Sequence, residues 1–436
     1  MEVKLNVRRI AFEIINKVEF GKSYSDDLIN KYVDKFEDKR DFNLLRKIVL
    51  GVLERKYTLE YIISMYSKTK LKKIDPKILI IMKIAVYQMI FLTSIPDHAS
   101  INEAVNHSKK LTKWNLSGYV NGVLRNISRN KAEISKLIDS TKDLEIKYNI
   151  NAGIVEYIKE NYNDDFDSLL DSLYNELPFS IRINENMMNS NEVFEELQSL
   201  GMNPKNSDIT NINMLIQNPE SVHNTKLYRE GIISIQGEGS TLAVQVLDPR
   251  PGSKVLDLCA APGTKSLLIA EYLKDSGIII ANDIDISKHK KIVQNFNRIK
   301  FSNYELCGFD ASIYQPEMKE EFDYVLVDAP CSALGLIARK PEIRYRRSME
   351  TIRELRDLQR AILINAVKYL KPNGVLVYST CTYGYLENEQ QADFIENELN
   401  MEKSYFDYKG NSLNRIQLFN SKDNTDGFFI ARFIKP

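Results

Sequence analysis

Across residues 6–130, apolar positions recur every three or four residues. Ile10, Ala11, Ile14, Ile15 and Val18 trace one stripe, and the stretches 45–59, 78–92 and 119–127 repeat the style. That is the helical period, and with Gly and Pro scarce it predicts a compact helical bundle. Ser100 followed by Glu103 has the form of a capping box opening a further helix. The run 78–92 is the most apolar in the chain, but Lys83 and Gln88 interrupt it. It is too short and too polar to span a bilayer, so a buried helix is expected and no membrane partner. Residues 131–145 are polar and read as a linker or bridging helix. In 146–230 helices mix with short strands: Phe179-Ser-Ile-Arg-Ile-Asn184 alternates like a strand, and 191–200 reads as a helix closed by Gly201.

From Gly231 the pattern becomes strand, turn, helix. Apolar strands are expected at 232–235, 255–258, 278–281, 324–327 and 375–378, with helical segments between them. Such alternation predicts a doubly wound α/β sheet. The domains expected are therefore 1–135, all helical; 136–230, linker and small α/β; and 231–436, α/β.

Composition narrows the class without changing this picture. The 436 residues are 43% hydrophobic and 27% charged, which suits a globular protein with several cores. Cys259, Cys307, Cys331 and Cys381 form no C-x-x-C pair, and the four histidines fall at no metal-ligand spacing. No metal site, no disulfide framework and a reduced, cytoplasmic setting are expected. Nothing near the start has the basic-then-apolar form of a secretory leader. A monomer is expected. The zero net charge hides a split: residues 1–140 hold 26 Lys and Arg against 16 Asp and Glu, leaving 33 against 43 in the rest. A basic first third suits a polyanion, although a lysine-rich solvated face gives the same count.

The chemistry sits where the expected strands end, the ligand edge of such sheets. After the 255–258 strand comes Asp257-Leu-Cys-Ala-Ala-Pro-Gly-Thr-Lys-Ser266, whose small residues let a ligand approach the backbone before a helix starts. It is neither a G-x-G-x-x-G dinucleotide loop nor a phosphate-binding G-x-x-x-x-G-K-[ST] loop. Asp283 ends the next strand, about 20 residues on, where a carboxylate accepts from ribose hydroxyls. Asp310 follows a short strand at 304–308 and suits either an adenine amino group or a plain turn. The next two strands end in Asp328-Ala-Pro-Cys-Ser332 and Ser379-Thr-Cys-Thr382, the latter followed by Asn388-Glu389. Two cysteines at adjacent strand ends fit poorly with a role as small buried hydrophobes. Carbon 5 of cytosine becomes nucleophilic only after a thiolate adds to carbon 6, which needs an activated cysteine, an acid near the ring nitrogen and a base to take the carbon 5 proton. Between the cysteines, 339–360 holds eight basic residues against four acidic ones. Phosphate contacts suit it, and so does a solvated helix of i,i+4 pairs.

Together, Asp-Leu-Cys-Ala-Ala-Pro-Gly-Thr-Lys, Asp-Ala-Pro-Cys-Ser-Ala-Leu-Gly and Ser-Thr-Cys-Thr resemble the Sun/Nop2 family of RNA cytosine-C-5 methyltransferases. Asp426-Gly-Phe-Phe-Ile-Ala-Arg432 resembles that family's last strand, and Phe179-Ser-Ile-Arg-Ile-Asn184 its arginine-bearing strand before the catalytic domain. The helical first 130 residues, with Gly118-Tyr-Val-Asn-Gly-Val-Leu-Arg125, look like the NusB RNA-binding fold. The resemblance covers nearly the whole chain, and the combination is similar to the family's bacterial 16S rRNA enzymes. It implies a NusB-like all-α bundle, a small α/β domain and a Rossmann-like methyltransferase domain. It implies S-adenosyl-L-methionine (SAM) held by Cys259, Ala260, Ala261, Pro262, Gly263, Thr264 and Lys265 with Asp283, Asp310 and Asp328. It further implies Cys381 as nucleophile, Cys331 assisting product release, and Asp328 beside the base. DNA cytosine methyltransferases use the Pro-Cys cysteine as nucleophile, and the residues alone leave that choice open. Small-subunit ribosomal RNA is the implied partner, with Arg182, Arg339, Lys340 and Arg344 as RNA contacts. A transfer RNA or another ribosomal site is the alternative substrate, and a non-catalytic RNA-binding factor the alternative function. The chain departs from the family pattern at Thr264, where glycine is common, after Gln236, where an aspartate is missing, and at Leu386, within an acidic run.

Overall fold

The computed structural model describes residues 5–436 except Lys22, Asp34, Thr93, 112–115 and Asp275. The chain folds as two units. One comprises Met1–Tyr157 together with Arg339–Ser348; the other comprises Ile158–Ala338 together with Met349–Pro436.

The first unit is helical, as the periodicity predicts. Its helices include α1 (Val7–Phe20), α2 (Ser25–Ile29), α3 (Lys39–Glu54), α4 (Lys56–Tyr66), α5 (Pro76–Phe91), α6 (Asp97–Leu111), α7 (Ser117–Arg129) and α8 (Lys131–Asp139). The α1 stripe of Ile10, Ala11, Ile14, Ile15 and Val18 is buried. Asp75 caps α5 by accepting from the backbone of Lys77 at 2.8 Å, with Pro76 opening the helix. Lys83, which breaks the apolar run, is fully buried in α5 and paired with Glu19 and Glu60. The apolar stretch 45–59 is two helices, since α3 ends before Arg55 and α4 starts after it. The capping box at Ser100 does not form. Helix α6 begins at Asp97, and the Ser100 N–H already bonds the Pro96 carbonyl at 3.3 Å, inside the helical ladder.

The segment Arg339–Ser348 packs within this unit and corrects part of the expected RNA surface. Arg344 is fully buried, donates to the Tyr148 carbonyl at 2.9 Å and accepts at its own carbonyl from the Asn151 N–H at 3.0 Å. Glu342, also fully buried, accepts from the Ser25 N–H at 2.7 Å and from its hydroxyl at 2.9 Å. A guanidinium this deep is a structural clamp and offers no face to a phosphate. Arg339 and Lys340 are partly exposed, and Lys340 lies 3.6 Å from Asp26 and over the Tyr24 ring.

Among the described residues the second unit holds fourteen strands, β1 (Phe179–Ile183), β2 (Lys205–Asn206), β3 (Asn213–Ile216), β4 (Ile233–Ile235), β5 (Lys254–Asp257), β6 (Ile278–Asn282), β7 (Tyr304–Cys307), β8 (Phe322–Asp328), β9 (Leu370–Thr380), β10 (Glu402–Lys403), β11 (Phe406–Tyr408), β12 (Asn411–Leu413), β13 (Arg415–Leu418) and β14 (Phe428–Ile434). Strands β2-β3-β1-β4 make a small antiparallel sheet. Strand β4 was expected to open the large sheet; it pairs with β1 instead, because Ile233 shares a core with Ile181 and Ile183. Arg182, on the opposite face of β1, is fully buried, donates to Gln236 at 2.8 Å and forms an ion pair with Glu271. It ties the small sheet to the helix Thr264–Leu273 and is not available to RNA.

The large sheet runs β10-β14-β9-β8-β5-β6-β7, with β13 on β14. Strands β5 to β9 are mutually parallel, and β14 runs antiparallel to β9. Successive residues of each strand point to opposite faces. Leu326 joins the core beneath the helices Glu238–Leu247, Thr264–Leu273 and His289–Arg298, while Val325 and Val327 join the core beneath Met349–Tyr369 and Glu389–Asn397. Chain order reverses between β5 and β8, which opens a crevice at the carboxyl ends of these strands.

Candidate active site

The loop after β5 turns sharply at Gly263, whose φ of +97° suits glycine and where a Cβ would lie 3.1 Å from the Ile292 backbone. Thr264 then opens the helix. Asp283, just past β6, fixes this loop: one carboxylate oxygen accepts from the Ala261 N–H at 3.1 Å, the other from the Asp285 N–H at 2.9 Å. Asn282 beside it donates to the carbonyls of Leu258 and Phe309 and accepts from the Phe309 N–H at 3.0 Å, so it stitches the loops after β5, β6 and β7 together. Asp310 accepts from both the N–H and the hydroxyl of Ser312, the turn its sequence allowed, and those bonds hold its carboxyl below the usual carboxylate range.

Buried charge accumulates under the loop. Burial pushes the Asp257 carboxyl up to about 6, despite the Ser266 hydroxyl at 2.6 Å and the nearby Lys265 ammonium. Burial, then the charges of Asp257, Asp328, Asp283 and Asp310, raise the Cys259 thiol well above its ordinary value. Four carboxylates thus converge on one short loop. Ile284, Ile286 and Ile313 stand 64%, 67% and 61% exposed beside Asp283 and Asp310. Exposed apolar side chains next to carboxylates at a strand-end crevice fit a purine nucleoside, the adenosine half of SAM.

The two cysteines come from neighbouring parallel strands in register, Asp328 opposite Ser379. Their sulfurs lie 3.4 Å apart. Lys265 Nζ meets one oxygen of Asp328 at 2.6 Å, and the Ser379 hydroxyl meets the other at 2.8 Å. Burial works against the Lys265 ammonium, but the charge and hydrogen bond of Asp328, followed by the charges of Asp257 and Cys381, outweigh it and raise its pKa.

Below the sulfurs is a polar network that the sequence did not reveal. The hydroxyls of Ser332 and Thr382 meet at 2.6 Å. Fully buried Glu387 accepts from the Ser332 N–H at 2.9 Å, from its hydroxyl, and from the Gln359 amide at 3.1 Å. Gln359 also bonds the Pro330 carbonyl at 2.9 Å. Asn388 accepts from the Thr380 hydroxyl at 2.6 Å and donates to the Thr382 carbonyl at 3.1 Å, bracketing Cys381. Gly335 N–H bonds the Cys381 carbonyl at 3.1 Å and packs so closely on Gly427 that a Cβ would lie 2.1 Å from its oxygen. Glu387 and Asn388 are polar side chains with no local sign of burial in the sequence; only the fold shows that they are fully buried.

Of the expected site residues, the structure gathers the Cys259–Lys265 loop, Asp283, Asp310, Asp328, Cys331 and Cys381 along one sheet edge. Arg182 and Arg344 lie in interiors elsewhere. Among the described residues no group of His, Cys, Asp and Glu has a metal-binding arrangement, and no helix is long and apolar enough to cross a membrane.

Comparison with known proteins agrees with this fold. A family profile described as 16S rRNA methyltransferase RsmB/F matches residues 244–434, and one described as NusB family matches 5–129. A Bacillus subtilis protein named probable ribosomal RNA small subunit methyltransferase B is 31% identical over 450 residues, covering 99% of each chain. A crystal structure titled PH0851 superposes with a TM-score of 0.81 at 26% identity over 100% of each chain. That of a methyltransferase homolog protein from Pyrococcus horikoshii gives 0.60 at 26% identity, over 67% of this chain and 97% of the other. With a NusB domain ahead of a Rossmann-like methyltransferase domain, the chain belongs to the RsmB/F family of SAM-dependent rRNA methyltransferases.

Proposed function

We propose that the protein methylates carbon 5 of a cytosine in 16S ribosomal RNA through a covalent bond between Cys381 and the base. The observation that carries this reading is the 3.4 Å separation of the Cys331 and Cys381 sulfurs beside Asp328. One reactive thiolate needs a single cysteine. A second sulfur in contact suits a reaction in which the bond to the base must later be broken.

When bound, SAM supplies a sulfonium-activated methyl group. The loop Cys259–Lys265 would hold it together with Asp283 and Asp310. The Cys381 thiolate adds to carbon 6, its electron pair forming the S–C bond while the ring π electrons shift toward carbon 5. The Asp328 carboxyl, held on both oxygens by Lys265 and Ser379, meets the polar edge of the ring. Once carbon 5 has taken the methyl group, a base removes its proton. The electrons left behind re-form the ring double bond, and the Cys381 sulfur leaves with its pair. Cys331 assists this release. Stacking shields both carbons in a helix, so the base must be unpaired or flipped out. Phosphate contacts at Arg339 and Lys340 are consistent with their partial exposure.

The test is an adduct assay with 16S rRNA and SAM. Cys331→Ser is expected to accumulate a protein–RNA band that survives denaturing gels. Cys381→Ala is expected to abolish methyl transfer while retaining SAM binding. A band that persists in the Cys331→Ser, Cys381→Ala double variant would overturn the choice of nucleophile.

A further inference from the structure

Two thiols 3.4 Å apart cannot both ionise at moderate cost, so when one of them gives up its proton something must choose which. We infer that Glu387 is the positioning residue that makes this choice: its buried carboxylate bears on Cys331, while the Lys265 ammonium bears on Cys381.

The hydrogen bonds have a direction. Leu334 N–H donates to the Thr382 hydroxyl oxygen at 3.1 Å. With the Glu387 carboxylate accepting the Ser332 proton, the Thr382 hydroxyl in turn donates to Ser332 Oγ, 2.6 Å away. The Ser332 N–H and the Gln359 amide also point at the same carboxylate. Every proton in this set runs toward Glu387, the arrangement that suits an ionised acceptor. The donors are neutral groups and do not discharge it. Ser332 is the residue after Cys331, so the same bonds that hold the loop also hold a negative charge beside its sulfur.

The largest charge effects on the Cys331 sulfur come from Cys381, in the loop after β9, and Glu387, ahead of the helix Glu389–Asn397, and the buried Tyr378 phenol on β9 in turn feels the Cys331, Glu387 and Asp328 charges. The hydrogen bond to Cys381, then burial, then the charges of Cys381 and Glu387 lift the Cys331 thiol well above its ordinary value. On the other side, Lys265 is anchored to Asp328, opposite the Ser379 that leads into Cys381, and its ammonium feels the Cys381 charge. The asymmetry gives a physical reason for the nucleophile to be Cys381 and for Cys331 to keep its proton.

This inference rests on the covalent reading, and its test is run without RNA or SAM so that the two can fail separately. Full-length Cys381→Ala and Cys381→Ala, Glu387→Gln proteins are alkylated with iodoacetamide between pH 6 and 10, and the rate at Cys331 is read by peptide mass spectrometry. Removing the charge while keeping the shape is expected to move the Cys331 profile to lower pH and raise its rate at neutral pH about tenfold, one pKa unit. Ser332→Ala in the Cys381→Ala background keeps the charge and is expected to leave the midpoint in place. Should Glu387→Gln not fold, Glu387→Ala is read in the same Cys381→Ala background, where the Cys331 profile is again expected to move to lower pH. An unmoved profile in a folded variant overturns the proposal.

Discussion

The hydroxyl oxygens of Ser332 and Thr382 lie 2.6 Å apart, and each belongs to the residue that follows a cysteine. The two cysteine loops are therefore bolted together one residue downstream of the sulfurs. Thr382→Val replaces the hydroxyl with a methyl of similar size, strands the Leu334 N–H and removes one of the partners of Ser332 Oγ. Leaving buried polar groups unpaired costs about 1–3 kcal/mol, to be read by urea unfolding. Because small displacements of reacting groups are expensive, single-turnover methyl transfer is expected to fall by about tenfold or more while SAM affinity holds.

Asp257 makes stability depend on pH in an unusual sense for a carboxylate. Its folded value of about 6 exceeds the ordinary 3.8, so between those limits the folded state binds more protons than the unfolded state. Its favourable contribution is full below pH 3.8 and is lost as pH rises through 6, about 3 kcal/mol at one pKa unit per 1.36 kcal/mol. Asp257→Asn is expected to gain stability relative to the parent as pH increases from 4 to 7. Equal differences between the two proteins at both ends of that range would contradict the assignment.

Arg182 separates a structural from an RNA-binding role. Removing one partner of a buried ion pair costs roughly 3–5 kcal/mol, so Arg182→Met should strongly lower the unfolding free energy, with Glu271 left uncompensated. The salt dependence of rRNA binding by the folded fraction should stay the same. A phosphate contact at this position would instead flatten the slope of log K against log salt by about one.

Asp283 is expected to govern SAM binding, because its carboxylate both faces the crevice and anchors the loop at Ala261. Asp283→Ala should weaken SAM affinity at least about tenfold in calorimetry, the loss expected when a charge-assisted hydrogen bond worth about 1.5–3 kcal/mol disappears. The pH profile of Cys331 alkylation should be unaffected, since the largest effects on that sulfur come from Cys381, burial and Glu387.

How much of this was legible in the sequence follows from what a linear pattern encodes. The α1 stripe and strands β5, β6, β8 and β9 are visible because local apolar period is set by the face an element buries. The cysteines and carboxylates stand out because they close those strands. Long-range pairing has no such signature. Nothing local distinguishes β4, which joins β1, from a strand of the large sheet. Nor does composition separate Arg344 and Glu342, which are fully buried, from the partly exposed Arg339 beside them. Ser100 shows that a capping pattern loses to a helix already begun upstream. The Glu387 network is the extreme case, since buried polar residues acquire partners only once distant loops meet.

The inclusion of Arg339–Ser348 in the helical unit bears on how the chain matures. Proteins emerge from the ribosome amino terminus first, so the bundle's own helices are complete long before its final segment exists. Until then Ser25 lacks the Glu342 carboxylate and the Tyr148 carbonyl lacks the Arg344 guanidinium. The nascent bundle must wait, unfinished, through the synthesis of nearly two hundred further residues. A fragment cut at Tyr157 would remain in that state permanently.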